Sequence, residues 1–464
     1  MASGERTRST QQRGTPAAGP ARPQVAPLYK RLPHGPHRLE RREVARNQRA
    51  RIHGAMIEAV ARSGYESTSV KQVIGLAGVS RRSFYEHFTN REDCFLATFD
   101  VIAGRGVRRV TRAYRAGDPG LEEQLGAAFA ELSEIVREDP KGAALVAWEA
   151  RGAGAAGLAR LRGLTGACEQ MLARSFGESR EACQLPTAVA RGIAGGLQGI
   201  LTGSLRPGRE PPGGELTEQL LTWTLQFRGA GVGRVGERMR ATAARRLAAG
   251  ALRPAPSPPR GAGAEPERVR MLDSVLLLAR TGSYRELSAL QIAEQAGVAV
   301  EAFFALYGHP DECFLAALEI RGQEILALAA EDALQGPGWA QAVRRAVGAV
   351  LGHLAADPLV AATIAETAFA AGRAALELDL QIAEELAQLL TAGAPGGEPP
   401  RMAVEGIAGA LWHTIGAQVA AGRGRLLPLL CDHLTFMVLT PCIGADAAAE
   451  ALAREPAARN ASCG

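Results

Sequence analysis

The chain has 464 residues, which is too long for one hydrophobic core and predicts two to four domains. Its formal net charge of +5 is too small to specify a partner by itself. Aromatic residues make up only 5%, while Ala, Gly and Leu abound, and the alternating pattern of half-buried strands is almost absent. This composition excludes a sheet protein and predicts an all-α fold.

Features of several other protein classes are missing from the sequence. The seven cysteines form no C-x-x-C pair, which favours a reducing compartment over a disulfide framework. No charge-free apolar run reaches the roughly 18 residues of a membrane span, and there is no signal-peptide core. A Gly-rich phosphate loop, G-x-S-x-G and H-E-x-x-H are also absent. We therefore expect a cytoplasmic protein with no membrane partner, no enzyme activity, no cofactor and no metal site.

The N-terminal segment is basic. Twelve Lys or Arg and three acidic residues lie between Met1 and Arg51. A basic block in front of a folded domain suits a polyanion such as DNA. For about the first 25 residues a solvated disordered tail is the alternative, and a transit peptide is another, although a clear apolar face is missing. We predict a disordered basic arm over residues 1–39.

An internal repeat with an offset of about 218 residues runs through the chain. With one or two conservative changes, Ala61–Gly64 recurs as Ala279–Gly282, and Glu92–Ala97 recurs as Asp311–Ala316. Three further pairs follow: Ala77–Val79 with Ala296–Val298, Asp139-Pro140 with Asp357-Pro358, and Gly192–Gly195 with Gly406–Gly409. Matches in the same order across the whole length predict a tandem duplication of one fold.

A proline-rich segment separates the two copies. Leu252–Pro266 contains five prolines, which interrupt helices and strands alike. We predict a linker over residues 229–267, with the alternative that residues 229–250 are partly helical. The remaining predicted units are a helix-turn-helix domain (40–93), a helical ligand/dimerisation-type domain (94–228), a degenerate helix-turn-helix domain (268–312), a second helical domain (313–445) and a disordered tail (446–464).

The first copy begins with the pattern of a helix-turn-helix. Apolar residues recur along one helical stripe: Ile52, Met56, Ile57 and Val60. Gly64 should end this helix, and Thr68 or Ser69 offers an N-cap for a short second helix. Gly78 supplies a tight turn, and Ser80 caps a third helix. This order predicts a motif whose last helix enters the major groove of DNA.

Three segments carry a family resemblance: Gly64–Val73, Ala77–Phe88 and Asn90–Phe95. Their turn, caps, aromatic pair and basic follow-up together resemble the N-terminal domain of TetR-family transcriptional regulators over about 50 residues. Ile74 stands where this family usually has Ala, and Arg91 where it usually has Lys. The resemblance implies two TetR-like repeats, each a helix-turn-helix three-helix domain followed by a C-terminal helical bundle.

The residue types of the third helix suit base reading. Arg81 and Arg82 lie in its first turn, where Arg can grip guanine O6 and N7 with two hydrogen bonds. Solvated surface charges are the alternative for both, and a surface or core histidine is the alternative for His87. Phe84 and Phe88 should point into the core instead. The predicted DNA-binding residues are Arg42, Thr68, Ser69, Lys71, Ser80, Arg81, Arg82, Ser83, Tyr85, His87 and Arg91.

The second copy lacks these reading residues. Ala299–Ala302 replaces Ser80–Ser83, with Glu301 in the place of Arg82, and Pro310 stands in the place of Arg91. A helix without a cation and with an acid facing phosphates would be repelled. We predict that the apolar surface of this helix (Val300, Phe304, Leu306) packs against protein. The fold should be kept by a core of Leu272, Val275, Leu276, Ile292, Ala293 and Phe303.

The C-terminal region of each copy, by the resemblance, carries a ligand pocket and a dimer face. Five large side chains could line a pocket, with ordinary core as the alternative: Trp148, Met171, Trp223, Trp339 and Trp412. The small-residue runs Gly192–Leu197 and Gly406–Leu411 are the predicted helix–helix interfaces. Cys94 and Cys313 occupy equivalent apolar positions and should be buried thiols.

The function predicted from these observations is that of a TetR-type transcriptional regulator, a repressor on nucleoid DNA. A small apolar effector in a C-terminal domain would release it. An interaction protein that has lost DNA binding is the alternative from another class, and Arg81, Arg82, Tyr85 and Arg91 argue against it. The two copies are predicted to pack as an intramolecular pseudo-dimer, with an ordinary homodimer as the alternative.

Overall fold

A computed structural model describes residues 41–178, 185–209, 214–248, 266–281, 284, 287–333, 338–367 and 371–454, and over these ranges the chain is helical and contains no strand. The predicted basic arm lies outside them. The first half contains α1 (Arg41–Ser67), α2 (Val70–Ala77), α3 (Arg81–Tyr85), α4 (Arg91–Ala116), α5 (Leu121–Glu138), α6 (Pro140–Ala144), α7 (Gly154–Glu178), α8 (Thr187–Ser204), α9 (Glu215–Leu225) and α10 (Ala230–Ala248). A π turn, Leu145–Glu149, and a 3-10 turn, Arg151–Ala153, join α6 to α7.

The second half follows the same order of elements. It contains α11 (Pro266–Thr281), α12 (Ala289–Ala296), α13 (Val300–Leu306), α14 (Pro310–Ala333), α15 (Trp339–Ala356), α16 (Pro358–Ala362), α17 (Arg373–Thr391), α18 (Arg401–Ala420), α19 (Cys431–Ile443) and α20 (Ala445–Ala453). A π turn, Thr363–Thr367, follows α16, and a 3-10 helix, Gly424–Leu430, precedes α19.

Each half begins with a small helical domain that has its own core. Phe84 and Phe95 are fully buried in the first of these cores, and Phe303 and Phe314 are fully buried in the second. The core residues predicted for the second copy are all buried. Cys94 and Cys313 are buried thiols, as predicted, and burial raises the pKa of each to about 12.

The two small domains share their local capping. α2 and α12 each have eight residues and begin with a serine whose hydroxyl accepts the backbone N–H of a glutamine three residues later. The same glutamine side chain accepts the serine backbone N–H, which completes a capping box. Each helix ends at a left-handed glycine, Gly78 with φ 60° and Gly297 with φ 64°. These likenesses support the tandem duplication, which stays a prediction.

Helices of both halves share one large hydrophobic core. Its most extensive pairing joins α8 to α18, the helices that carry the small-residue runs. A Cβ atom added to Gly409 would lie 2.4 Å from the backbone oxygen of Gly195, and one added to Gly199 would lie 2.3 Å from that of Glu405. Only glycine allows backbones to approach this closely. The structure brings the two small-residue runs together at one helix–helix contact, while the pseudo-dimer of the two halves stays a prediction.

Trp223 of α9 is held between the same two helices. A Cβ on Gly196 of α8 would lie 2.1 Å from its indole ring, and one on Gly406 of α18 would lie 2.5 Å from it. The ring is fully buried, and its Nε1–H donates to the Ile193 carbonyl at 3.0 Å. Trp148 is also buried. Both tryptophans are core residues, which agrees with the alternative that they belong to the ordinary core and do not line a ligand pocket.

The structure departs from two predicted boundaries. α10 lies inside the predicted linker (229–267), which agrees with the alternative that residues 229–250 are partly helical, and its Val232, Val235 and Met239 are buried in the shared core. The predicted disordered tail (446–464) includes most of α20, whose Leu452 is buried. In both segments apolar residues at helical spacing gain burial against helices of distant sequence, which a local reading of prolines and small residues does not reveal.

Gly424–Ile443 is long and apolar enough to cross a membrane by length and composition alone, and 61% of it is buried inside the protein. The segment carries Arg425 and Asp432, so the sequence prediction, which required a charge-free run, excluded it. Its position in the shared core gives its apolar residues a protein environment.

Candidate nucleic-acid interface

A chain of backbone constraints sets the position of α3. Gly64 leaves the helical region within α1, with φ 75° and ψ 163°, and so ends the long apolar stripe as predicted. The capping box of Ser69 and Gln72 then starts α2, and Gly78 turns the chain by adopting a left-handed conformation. The two carbonyls of this turn, Ala77 and Gly78, both accept from the Arg51 guanidinium. Arg51 therefore fixes the turn to α1.

The side chains of Ser80, Phe84 and Phe88 orient α3. The Ser80 hydroxyl accepts the Ser83 N–H at 3.0 Å, and both phenylalanines are buried under the helix as predicted. The regular helix is shorter than the predicted Ser80–Phe88. It ends at Tyr85, because the His87 N–H bonds to the carbonyl of Phe84 three residues earlier and tightens the chain into a turn.

The outer face of α3 is open to solvent and basic. The Arg82 side chain is 91% exposed, and its contact is an exposed ion pair with Glu86 at 3.2 Å. Arg81 is exposed and lies with its Cζ 5.7 Å from the centre of the Tyr85 ring, which is itself 47% exposed. An exposed ion pair of this kind is worth about 0–1 kcal/mol, so Arg82 can exchange Glu86 for a nucleic-acid acceptor at little cost.

The remaining predicted residues differ in their accessibility. Arg42, Ser69 and Lys71 are exposed, and Ser83 is half-buried. Ser69 and Ser80 act as helix caps, so their hydroxyls are already used and their backbone position matters most. The structure thus brings Arg81, Arg82 and Tyr85 together on one helix face and leaves Arg42 on the first turn of α1.

Thr68 is not available to a ligand. Its side chain is buried, and its hydroxyl donates to the Gly64 carbonyl at 2.7 Å. The prediction that Thr68 contacts DNA is therefore wrong for its side chain, because the kink at Gly64 leaves a carbonyl that this hydroxyl satisfies. The choice between Thr68 and Ser69 as N-cap falls to Ser69.

Arg91 has a structural task that the sequence does not reveal. Its Nη1 donates to the carbonyls of Glu66 (2.9 Å) and Thr68 (2.8 Å), and its Cζ lies 4.5 Å from the centre of the Tyr65 ring. Arg91 thereby ties the start of α4 to the end of α1. Its planar guanidinium also stacks on the Tyr65 ring, a contact for which the Lys that the family usually has is less suited.

His87 and His53 form a partly buried pair behind α3. Nε2 of His87 is buried without a hydrogen-bond partner, and the ring is half-buried. Burial, together with the charge of Arg49, lowers the pKa of His53 to about 4, and its Nδ1 lies 2.8 Å from the Thr98 hydroxyl. His87 therefore faces the core, which agrees with the alternative that it is a core histidine.

The corresponding helix of the second half presents a different face. α13 has no side-chain N-cap, because Ala299 stands in the place of Ser80. Glu301 is exposed, and Phe304 and Leu306 are 59% and 45% exposed. Within the described chain these two apolar side chains remain largely uncovered, although the sequence predicted that they pack against protein.

In each half an arginine of the first helix hydrogen-bonds to the turn that follows the second helix, and sequence analysis missed this contact. Arg270, at the offset of 219 from Arg51, donates through Nε to the Ala296 carbonyl at 2.9 Å, just as Arg51 bonds to Ala77. An arginine kept at the same position in both halves was the available signal. Arg51 was instead counted with the basic segment that the sequence analysis assigned to DNA binding as a whole.

Comparison with known proteins now bears on this geometry. Residues 55–98 match the model of the family described as bacterial regulatory proteins, tetR family. The matched segment spans the second part of α1, α2, the Gly78 turn, α3 and the start of α4.

Solved structures of regulators show weaker similarity. The transcriptional regulator FadR from Bacillus subtilis in complex with stearoyl-CoA has 18% identity and a TM-score of 0.33, covering 38% of this chain and 96% of its own. A proposed TetR-family transcriptional regulator from Syntrophomonas wolfei has 17% identity and a TM-score of 0.32, covering 39% of this chain and 93% of its own. A proposed transcriptional regulator from Pseudomonas aeruginosa PAO1 has 20% identity and a TM-score of 0.33, covering 40% of this chain and 90% of its own. No curated protein matches the sequence.

Proposed function

We propose that this protein is a sequence-specific DNA-binding transcriptional repressor whose reading element is the segment Ser80–Phe88. In this proposal α3 and the turn after it lie in the major groove of double-stranded DNA. A small effector bound among the C-terminal helices releases the protein from its operator. A location on the bacterial nucleoid, in the cytoplasm, follows from that role.

One observation carries the proposal: two exposed arginines stand at the first turn of a helix that is rigidly placed by a tetR-family turn. Arg81 and Arg82 have no strong protein partner, whereas Phe84 and Phe88 hold the opposite face in the core. The first turn of a recognition helix is the part that reaches base edges. Arginine is the residue best suited to bidentate reading of guanine.

The second small domain supports a single reader in each chain. Its α13 offers Glu301 and two exposed apolar side chains, Phe304 and Leu306, where α3 offers two arginines. Phosphates would repel the carboxylate. We infer that this domain does not read DNA.

A gel-shift titration at several salt concentrations tests DNA reading, using the best site selected from genomic fragments. Arg81→Ala and Arg82→Ala should each weaken binding by about 1–3 kcal/mol and relax preference at one base position. Arg62→Ala is the matched control, because Arg62 is an exposed arginine in a similar i,i+4 ion pair, with Glu58, on α1. Unaltered affinity in both α3 variants would refute the placement of the reader. A flat dependence of affinity on salt would refute DNA binding through phosphates.

The shared core supports an intramolecular pseudo-dimer of the two halves. α8 and α18 meet through glycines, and ion pairs Arg206–Glu384 (2.8 Å) and Arg209–Glu405 (2.9 Å) cross between the halves. We propose that this pairing replaces the dimer of an ordinary regulator, so that reading a palindrome needs two chains. An ordinary homodimer remains the alternative.

Light scattering on residues 36–228 and on the full chain tests the arrangement. The fragment should dimerise or aggregate through its uncovered α8, while the full chain should not use α8 between chains. A fragment that stays monomeric and soluble would refute the pseudo-dimer.

A further inference from the structure

A cavity lies between the two halves of the protein. Its walls come from α7 and α8 of the first half and from α17 and α18 of the second. The space open to the centres of water molecules is about 90 Å³, enough for roughly six waters or one small organic molecule. Leu158, Leu161 and Ile364 give the wall an apolar part.

Asp379 of α17 is a carboxyl group of this wall with an unused acceptor. It is fully buried, and its Oδ1 accepts the Trp412 indole N–H at 3.1 Å. Within the described part of the chain its Oδ2 has no hydrogen-bond partner. An unpaired buried carboxyl oxygen is costly whether the group is protonated or ionised, and a bound ammonium would favour the ionised form.

Arg151 is a charged group of the same wall and comes from the other half. Its side chain is 6% exposed, and both of its hydrogen bonds, to Ala147 O and to Thr202 Oγ1, are made by Nη1. Burial lowers the pKa of this guanidinium to about 10, so it stays cationic near neutral pH. Arg151 and Asp379 interact electrostatically without forming an ion pair.

Most of the other charged groups around the cavity have protein partners, although Nε of Arg206 has none among the described residues. Arg206 pairs with Glu384, and Glu405 pairs with Arg209 and with Arg401 at 2.9 Å. Arg162 donates to the Ala365 carbonyl at 3.3 Å. Burial and neighbouring arginines lower the pKa of His413 to about 4, which leaves it neutral. Asp379 and Arg151 stand out in this wall, because neither has an ion-pair partner within the described residues and each comes from a different half.

We propose that this cavity binds a small molecule with a hydrogen-bond-donating ammonium at one end and a carboxylate at the other. The ammonium would donate to Asp379 Oδ2, the carboxylate would accept from Arg151, and the short apolar body would lie against Leu161 and Ile364. A ligand of this zwitterionic class bridges the two halves of the chain. It would satisfy both buried groups at once, which neither a purely cationic nor a purely anionic ligand does.

Arg151 also lies two residues from a contact with the DNA-reading domain. Glu149, at the end of the π turn that precedes the 3-10 turn of Arg151, accepts the Tyr65 N–H at 2.9 Å beside the Gly64 kink. The Tyr65 ring in turn lies under Arg91 at the start of α4. A ligand that moves Arg151 would act on this path, and that regulatory consequence rests on the proposed DNA-binding function.

Calorimetric titration of the full chain with three probes of equal chain length tests the site. 4-Aminobutyrate carries both end groups, n-butylammonium only the donor and butyrate only the acceptor. We expect 4-aminobutyrate, or the best of its shorter and longer homologues, to bind at least about tenfold more tightly than either single-ended probe. Asp379→Asn should abolish that advantage. Glu377→Gln, which removes an exposed acid of the same helix, should keep it.

Equal binding of the three probes, no saturable binding, or an Asp379→Asn variant that keeps the advantage would overturn the proposal. The comparison among probes on the unaltered chain does not depend on whether a variant folds. Because the titration contains no DNA, a failure of DNA binding in the gel shift would leave its result standing. The two proposals can therefore fail separately.

Discussion

Replacing Asp379 by Asn should make the protein less sensitive to alkaline pH. Burial raises the pKa of this carboxyl from 3.8 to about 7, more than the Trp412 hydrogen bond and the Arg151 charge lower it. The folded protein therefore holds a proton that the unfolded chain releases. Stability is lost as pH rises above the unfolded pKa, and the loss levels off above the folded pKa.

The size of this effect follows from the two pKa values. A shift of roughly three units corresponds to about 4 kcal/mol at about pH 8, and only to about 1.5 kcal/mol at about pH 5. Asn cannot ionise and keeps an oxygen for the Trp412 indole. Its amide nitrogen takes the unpartnered position of Oδ2 at a cost that does not vary with pH.

Urea unfolding followed by far-ultraviolet circular dichroism measures the difference between the two proteins. The stability of Asp379→Asn relative to the unaltered chain should increase by about 2–3 kcal/mol between about pH 5 and about pH 8. Glu377→Gln, which removes an exposed carboxylate two residues away, should show no such trend. Parallel stability profiles for Asp379→Asn and the unaltered chain would refute the reasoning.

Three further changes separate structural from nucleic-acid contacts. Arg91→Ala should weaken binding to all DNA sequences alike, and it should lower the unfolding midpoint because three contacts at the end of α1 are lost. Arg91→Lys should recover DNA binding more than stability. A lysine variant that recovers stability more than DNA binding would contradict this. Gly409→Ala should cost about 1–3 kcal/mol in urea unfolding, since its Cβ meets backbone of α8, whereas Gly163→Ala on α7 meets nothing and should be neutral or stabilising. Removal of residues 1–41 should leave the circular dichroism of the folded domains intact and flatten the salt dependence of DNA affinity, and an unchanged slope would show the arm to be a spectator.

Local sequence signals predicted the small domains well. The kink at Gly64, the turn at Gly78 and the buried Phe84 and Phe88 depend on residues a few positions apart, so spacing alone was sufficient. The structural contacts of Thr68 and Arg91 were missed because their partners are main-chain carbonyls around the end of α1, which residue types do not show.

Long-range packing was only partly predictable. The glycine runs indicated that α8 and α18 meet, because close approach requires small residues at helical spacing. The burial of α10 and α20 in the shared core was missed, since it depends on helices of distant sequence. The placement of Asp379 and Arg151 in the wall of one cavity was also missed, because the two residues come from opposite halves and share no local motif.

The single core formed by both halves has a consequence for synthesis of the chain. About 200 residues separate the end of α8 from the start of α18. At roughly 5–20 residues per second, the ribosome needs roughly 10–40 s to deliver the second helix after the first has emerged. During that interval the glycine face of α8 lacks α18, and Trp223 lacks one side of its pocket. The nascent chain must therefore be kept from pairing with another copy of itself, so strains with reduced chaperone capacity should accumulate aggregates of this protein.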